Sequence, residues 1–318
     1  MKISVAIASY NGQKYIEEQI QSILNQSVLP NEIVVSDDNS NDKTIEILKL
    51  IKEKSKININ IIQNSLNKGY TKNFERAVKR CSGDLILLSD QDDYWLPEKI
   101  KTIVSEFKLS KLFLYLNNTL ISDEFLKSTE ISKLDQVISL YGNSDNFVPG
   151  CCMSIDNKLK NIFLPFPSDL MSYDQWINFV SISINSKKII EESLQYYRLH
   201  KNNTSSFEAN NLKKLNFYHY LKNIFRRIKN NSKDIELSKQ IECAKIVLNR
   251  LKLFKNQIEN FNKLYISCKK KIISLKFRDK MIKSNFFKKC ILLLKYFISK
   301  DLKLHLTYKN VLSDFLRF

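Results

Sequence analysis

Leu87-Leu88-Ser89-Asp90-Gln91-Asp92-Asp93-Tyr94-Trp95-Leu96-Pro97 is an apolar strand that breaks off into three carboxylates within four residues, followed by an aromatic pair and a proline suited to start a helix. Carboxylates this close repel one another, and their usual remedy is an oxygen-preferring divalent ion, which can also hold the phosphates of a nucleotide. The competing reading is a solvated acidic turn of the kind common at surfaces.

The segments upstream repeat one pattern. Ile3-Ser4-Val5-Ala6-Ile7-Ala8 is a strand that runs into Ser9-Tyr10-Asn11-Gly12, with a helical periodicity from about Tyr15 to Asn25. Glu32-Ile33-Val34-Val35 is a second strand, ending in Ser36-Asp37-Asp38-Asn39-Ser40-Asn41-Asp42-Lys43-Thr44 before another helix. A third strand, Ile59 to Gln63, leads through Asn67-Lys68-Gly69-Tyr70 into a helix over Thr71 to Arg80, and Gly83-Asp84 opens the strand that delivers the acidic cluster. Strand, polar loop and helix in this alternation predict an α/β doubly wound, mostly parallel, Rossmann-like sheet with ligands at the carboxyl ends of the strands.

In order along the chain, Ala8-Ser9-Tyr10-Asn11-Gly12, Ser36 to Thr44, Asn67-Lys68-Gly69 with Asn73-Phe74, Asp90-Gln91-Asp92-Asp93-Tyr94-Trp95, Tyr173-Asp174-Gln175-Trp176 and Tyr197-Arg198-Leu199-His200-Lys201-Asn202-Asn203 form six short motifs. Each is weak alone, but six in sequence are specific. Over about the first two-thirds of its length the chain resembles the family 2 glycosyltransferases of the GT-A fold, particularly bacterial rhamnosyltransferase-like members.

The resemblance implies a role for each motif. Ser9, Tyr10, Asn11, Asp38, Asn73, Asp90 and Arg198 become candidate donor-nucleotide residues. Tyr10 is suited to stack on the base and Asp38 to accept the imide N–H of uracil or thymine, which favours a UDP- or TDP-sugar over a GDP-sugar; the plainer readings are a strand-end aromatic and a helix cap. Asp37 and Asp42 are expected to orient their loop. Asp90 and Asp92 match the family's Asp-X-Asp pair and, with His200 as a third ligand, would hold Mn2+ or Mg2+ against the donor diphosphate. Gln91 and Asp93 would meet the donor sugar or fix the loop. Asp174 is the candidate general base, with Asp169 a second choice and a first-turn helix carboxylate the alternative. One base and no nucleophile implies inversion at the anomeric carbon.

Charge divides the chain. Residues 1–206 carry 24 Lys+Arg and 25 Asp+Glu, whereas residues 207–318 carry 27 and 8. With no Gly or Pro after Pro167, this second region is expected to be all-helical and basic, following a catalytic domain over 1–206. Leu215 to Ile228 reads as an amphipathic helix, Asp234 to Leu275 as one long helix with a single apolar stripe, and Phe286, Phe287, Ile291, Leu294, Phe297 and Ile298 as a third stripe flanked by Lys288, Lys289 and Lys295. These stripes either pack on the rest of the protein or serve as a peripheral anchor on an anionic membrane. No apolar run reaches the length of about 20 residues needed to span a bilayer, Lys2 leads directly into a strand rather than a signal peptide, and six cysteines without a Cys-x-x-Cys pair suit reduced thiols in the cytoplasm.

The expectation is therefore a metal-dependent inverting enzyme passing a sugar, possible donors including TDP-rhamnose, to a lipid-linked or cell-surface glycan at the inner face of the membrane. The alternative of a different class is a nucleic-acid-binding or scaffold protein that uses the basic tail with an inactive nucleotide-binding domain. Against it, the Lys and Arg are spread along helices without a recognisable nucleic-acid motif. A sugar-nucleotide-forming nucleotidyltransferase would be expected to open on a glycine-rich phosphate loop, which Ala8 to Gly12 is not.

Overall fold

The structure is a computed structural model; it describes residues 1–167, 169–201, 203, 210–216, 218–219, 222, 233–299 and 308–315. Its first compact unit comprises Met1–Asn178 and Ser186–Tyr220, and its second Phe179–Asn185 and Leu221–Phe318.

The first unit is built on a nine-stranded sheet. Its strands are β1 (Ile3–Ser9), β2 (Glu32–Asp37), β3 (Asn58–Gln63), β4 (Leu85–Ser89), β5 (Tyr94–Trp95), β6 (Leu114–Ser122), β7 (Ser128–Ser132), β8 (Met153–Asp156) and β9 (Lys187–Arg198). They lie in the order β3-β2-β1-β4-β8-β6-β9-β5, with β7 also paired to β6. The expected parallel arrangement holds for β1 to β4. Beyond β4 the sheet is mixed: β8 runs antiparallel to both β4 and β6, and β5 antiparallel to β9. Strands β6 and β9 are parallel to each other and run the same way as β4, so the reversed members are β8, inserted between β4 and β6, and the two-residue β5 that follows the acidic loop.

Alternation along the strands sorts the core. Ile3, Val5 and Ile7 of β1, with Ile33, Val35, Leu85 and Leu87, face helices α1 (Ile16–Leu24), α2 (Thr44–Lys54) and α4 (Lys99–Ser110) through Ile16, Ile20, Ile23, Leu48, Ile51, Ile100 and Ile103. Helix α3 (Tyr70–Arg80) packs on β1 and β2 outside that cluster, so it covers the other face. The polar residues at the ends of β1, β2 and β4 are thereby gathered along one edge. Three further helices complete the unit's order: α5 (Lys133–Tyr141), α6 (Lys160–Phe163) and α7 (Tyr173–Ser183), whose last turns belong to the second unit.

The second unit is helical, but not as one long rod. The segment expected to be continuous breaks into Lys233–Leu253 and Phe261–Ile282. Asn260 takes the left-handed conformation (φ 57°) and Ile258 is extended, which is the local cause of the break. The break lets the two halves pack, burying Cys243, Ala244, Val247 and Leu251 with Cys268 and Leu275, and the Cys268 thiol reaches the Ala244 carbonyl at 3.6 Å. A second cluster joins Phe277, Met281, Leu292, Tyr296 and Val311, fastened by a two-bond pair from Arg278 to the buried Asp314 at 2.6 and 3.1 Å. The helix expected over Leu215 to Ile228 lies mostly outside the described residues. No helix among the described residues is long and apolar enough to cross a membrane.

Candidate functional site

The loops after β1 and β2 are tied together before any ligand arrives. Asp37, fully buried, accepts from the Ser9 hydroxyl (2.9 Å) and from the Ser40 amide and hydroxyl (2.8 and 2.6 Å). The Asn11 amide donates to Ser40 Oγ (2.8 Å), Asn11 Oδ1 accepts from the Asn41 amide (3.0 Å), and the Gly12 amide donates to Thr44 Oγ1 (2.8 Å). Asp42 accepts from the amides of Gln13 and Thr44. Tyr10 is left 45% exposed, with its ring open to a flat partner. Gln91, from the loop after β4, clamps the Tyr10 backbone with both ends of its amide, accepting from its N–H (2.9 Å) and donating to its C=O (3.0 Å). A Cβ at position 12 would sit 2.2 Å from Gln91 Oε1, so glycine there is a condition of the clamp.

The acidic loop divides its three carboxylates between different tasks. Asp93 is buried, accepting from Gln195 Nε2 (3.0 Å) and the Arg198 amide (3.3 Å); burial and the Asp92 charge push its carboxyl up to about 6. Asp92 meets His200, with Oδ2 and Nε2 2.8 Å apart, and that imidazole stacks on Tyr15 at 4.8 Å. Asp90 is half-buried, and its carboxylate has no hydrogen bond or ion pair to a described residue. Burial, then the charges of Asp93 and Asp92, push that carboxyl well above the usual range, and Asp174 adds to the push. Lys133 works in the opposite direction on both Asp90 and Asp93. An anionic centre of this kind is suited to a cation.

Asp174 lies in the first turn of α7. Its Oδ1 accepts from the Ser172 hydroxyl and the Gln175 amide, while Oδ2 has no partner among the described residues. The neighbouring Tyr173 is buried, with its ring stacked on Phe74 at 4.2 Å. Its hydroxyl fills the space beside Gly150, where a Cβ would lie 1.9 Å away. The acidic loop, the Gly150 turn and the start of α7 thus converge.

The profile of Glycosyl transferase family 2 matches residues 4–161. The chain is a family 2 glycosyltransferase. It is 29% identical over 218 residues to the Escherichia coli UDP-Glc:α-D-GlcNAc-diphosphoundecaprenol β-1,3-glucosyltransferase WfaP, covering 67% of this chain and 82% of that one. With the dTDP-rhamnosyl transferase RfbG of Shigella flexneri it shares 29% over 210 residues, 62% of this chain and 72% of the other. The fold is GT-A. A structure of S. aureus TarS 1-349 in complex with UDP-GlcNAc superposes with a TM-score of 0.56 at 19% identity, covering 96% of this chain and 89% of that one.

Within this glycosyltransferase the residues expected to bind donor or metal, together with the expected base Asp174, fall into two groups. Tyr10, Asn11, Asp90, Asp92 and Asp174 keep an exposed or unpartnered atom at the loop edge. The rest are turned into the protein. Ser9 is buried on Asp37. Asp38 is 2% exposed and accepts from Asn64 Nδ2 (2.7 Å) and the amides of Lys68 (2.9 Å) and Gly69 (2.8 Å). Asn73 is buried, donating to the Ser9 carbonyl at 3.1 Å. Arg198 is 3% exposed; its guanidinium donates to the carbonyls of Asp92 (2.8 Å) and Glu124 (2.7 Å) and pairs with Glu18. Asp93, expected on a sugar hydroxyl or on the loop, does the latter.

The expected metal trio of Asp90, Asp92 and His200 does not converge. Among the described residues, the His, Cys and carboxylate donor atoms that gather in threes within 4.8 Å of one another are those of Asp90, Asp93 and Cys151. A hydrogen bond with Cys152 and burial hold the Cys151 thiol well above its ordinary pKa, so it stays neutral and suits Mn2+ or Mg2+ poorly. The open carboxylate of Asp90 fits such an ion, with Asp92 beside it and His200 orienting Asp92 from behind. Sequence reasoning missed Lys99, whose buried ammonium donates to Gln195 and the Cys151 carbonyl and lies over the Trp95 ring at 3.9 Å; burial pushes its pKa down to about 8. It also missed Lys133, buried above the Tyr197 ring at 3.5 Å. Lysine is so common in this chain that neither carried a signal.

Proposed function

We propose that this glycosyltransferase passes a sugar from a UDP- or TDP-sugar to a hydroxyl of a lipid-linked or cell-surface glycan, with inversion and with the help of Mn2+ or Mg2+, at the cytoplasmic face of the membrane. The observation that carries the reading is the Asp90 carboxylate: half-buried, without a partner among the described residues, crowded by Asp92 and Asp93, and within the electrostatic reach of Asp174. A divalent ion bound by Asp90 and Asp92 would offset the charge that the leaving diphosphate acquires.

The chain's own residues supply the rest. Tyr10 stacks on the base, and its backbone is held in register with the acidic loop by Gln91. Asp37, Asp38 and Asn73 hold the loops that present Tyr10. Arg198 and Asp93 hold the acidic loop to β9, and His200 fixes the direction of Asp92. The free Oδ2 of Asp174 takes the proton of the acceptor hydroxyl as it attacks; with one base and no carboxylate assigned as nucleophile, displacement is in line. The domain reading follows: residues up to about 206 carry the chemistry, and the basic helices after them serve attachment. The choice of UDP or TDP draws on the donors named for WfaP, TarS and RfbG, and the lipid-linked acceptor on the one named for WfaP.

The test is nucleoside diphosphate release from UDP-glucose, UDP-GlcNAc, TDP-rhamnose and GDP-mannose, with and without a polyprenyl-diphosphate sugar, in Mn2+ or Mg2+. Turnover of a UDP- or TDP-sugar, accelerated by the acceptor, is the expected outcome. Turnover of GDP-mannose alone would overturn the donor reading.

A further inference from the structure

The helix Phe286–Ile298 carries two faces, and the less apolar one is buried. Lys289, Leu292 and Tyr296 point inward, with Leu292 and Tyr296 in the cluster with Phe277, Met281 and Val311. The outward face shows Phe287 (73% exposed), Ile291 (52%), Leu294 (65%) and Ile298 (83%), a stripe at spacings of four, three and four. Of the two roles the sequence leaves open for this stripe, packing or attachment to a membrane, packing is not the one these exposed residues serve. Lys288 and Lys295, both exposed, flank it. Between Asp279 and Asp301 the chain has six lysines and no acidic residue.

We infer that this face is the surface by which the protein lies on an anionic phospholipid bilayer, with Phe287, Ile291, Leu294 and Ile298 in the acyl boundary and Lys288 and Lys295 reaching lipid phosphates. The inference rests on the membrane-face reading above and gives it a contact surface. Thirteen residues make a helix of about 20 Å, too short to span a hydrocarbon core of about 30 Å. An apolar stripe bordered by lysines is the arrangement of a helix lying in the plane of the interface, where long cationic side chains reach up to the headgroups. Charge decides between occupants. A second copy of this chain would bring the same lysines against these, whereas an anionic bilayer brings opposite charge to every one.

The test uses the full chain and vesicles of phosphatidylcholine, alone or mixed with phosphatidylglycerol. Co-sedimentation is expected with the anionic vesicles and to weaken with salt. Phe287→Asn and Leu294→Asn, both on the outward face, should each lower binding about tenfold, and Lys288→Gln and Lys295→Gln, which each remove one charge, about fivefold each. In Ile291→Trp the new indole should shift to the blue on anionic vesicles, against a constant background from the buried Trp95 and Trp176. Equal binding to both vesicle types, no binding, or an unshifted indole overturns the inference. So does a dimer in solution that Phe287→Asn and Leu294→Asn dissolve while vesicle binding is absent, or salt-sensitive capture by RNA without capture by vesicles. Transfer to a polyprenyl-diphosphate sugar in detergent, without vesicles, tests the acceptor reading separately.

Discussion

Replacing Gly150 with alanine adds one methyl group to the protein and removes no polar contact. That methyl would stand 1.9 Å from the Tyr173 hydroxyl oxygen and 2.6 Å from the carbon bearing it. Ordinary contact requires about 3.5 Å, so the ring must retreat by about 1.5 Å. It has little room, being buried and stacked on Phe74 at 4.2 Å. Gly150 does not have a positive φ, so the effect is one of volume and not of backbone strain. Overpacking of this kind costs about 2 kcal/mol, a fall in melting temperature of about 4–8 °C for a unit of this size. Asp174 follows Tyr173 in the same helical turn, so the displacement carries the proposed base with it. A misplacement of about 1 Å at a reacting group costs about a hundredfold in rate. Thermal unfolding, kcat for transfer at saturating donor, and donor affinity by calorimetry read the three consequences: a lower melting temperature, a kcat down by about two orders of magnitude, and a nearly unchanged Kd. Native turnover in Gly150→Ala, with the fold intact, would refute the placement of Asp174 at the reacting hydroxyl.

Asp174→Asn keeps the size and most of the capping ability of the side chain but cannot take a proton, so turnover should fall by about 10²- to 10⁴-fold with donor affinity held; near-native turnover returns Asp174 to a helix-start role. Chelation by EDTA should abolish transfer and added Mn2+ or Mg2+ restore it, and Asp90→Asn should lose metal-dependent nucleotide binding with the melting temperature preserved; full activity in EDTA refutes the ion. Burial pushes Lys187 down to about 8. Between about pH 8 and 10.5 the unfolded chain therefore holds a proton that the folded chain has lost, and this group makes stability rise with pH across that window, by at most about 1.4 kcal/mol per unit. In urea titrations from pH 8 to 10, wild type should gain stability relative to Lys187→Met; a constant difference would show that Lys187 keeps its ordinary affinity for protons.

The strands, the loops that end them and the acidic cluster were legible in the sequence because each is a local pattern: alternation, a polar break, a helix start. The direction in which a polar side chain points was not. Asn73, Asp38 and Arg198 stand in motifs that read as ligand-binding, yet their partners are Ser9, the Lys68–Gly69 turn and the Asp92 carbonyl. Whether such a group faces substrate or scaffold depends on residues up to 106 positions away, which no local pattern contains. The same limit applies in the basic region. A helical wheel shows that Phe286–Ile298 has an apolar face, but only the position of Met281 and Val311 shows that the opposite face is the buried one. The long stripe from Asp234 to Leu275 was legible as apolar periodicity. Its interruption at Asn260 was not, because a residue tolerant of the left-handed region permits a break without requiring one.

The position of Arg198 at the last residue of β9 has a consequence for the order in which the enzyme is made. The hydrogen bonds that hold Ser9 to Gln13 around Tyr10 draw on residues no later than Gln91, so they can form while much of the chain is still being synthesised. The acidic loop cannot, because one of its walls is the side chain and backbone of Arg198. A nascent chain with residue 198 still inside the ribosome holds the hydrogen-bonded Tyr10 loop but not the finished acidic loop, the part of the site proposed to take an ion. For the same reason, a split version of the enzyme cut between β6 and β9 would regain activity only through a second fragment that supplies Arg198, whatever the completeness of the first.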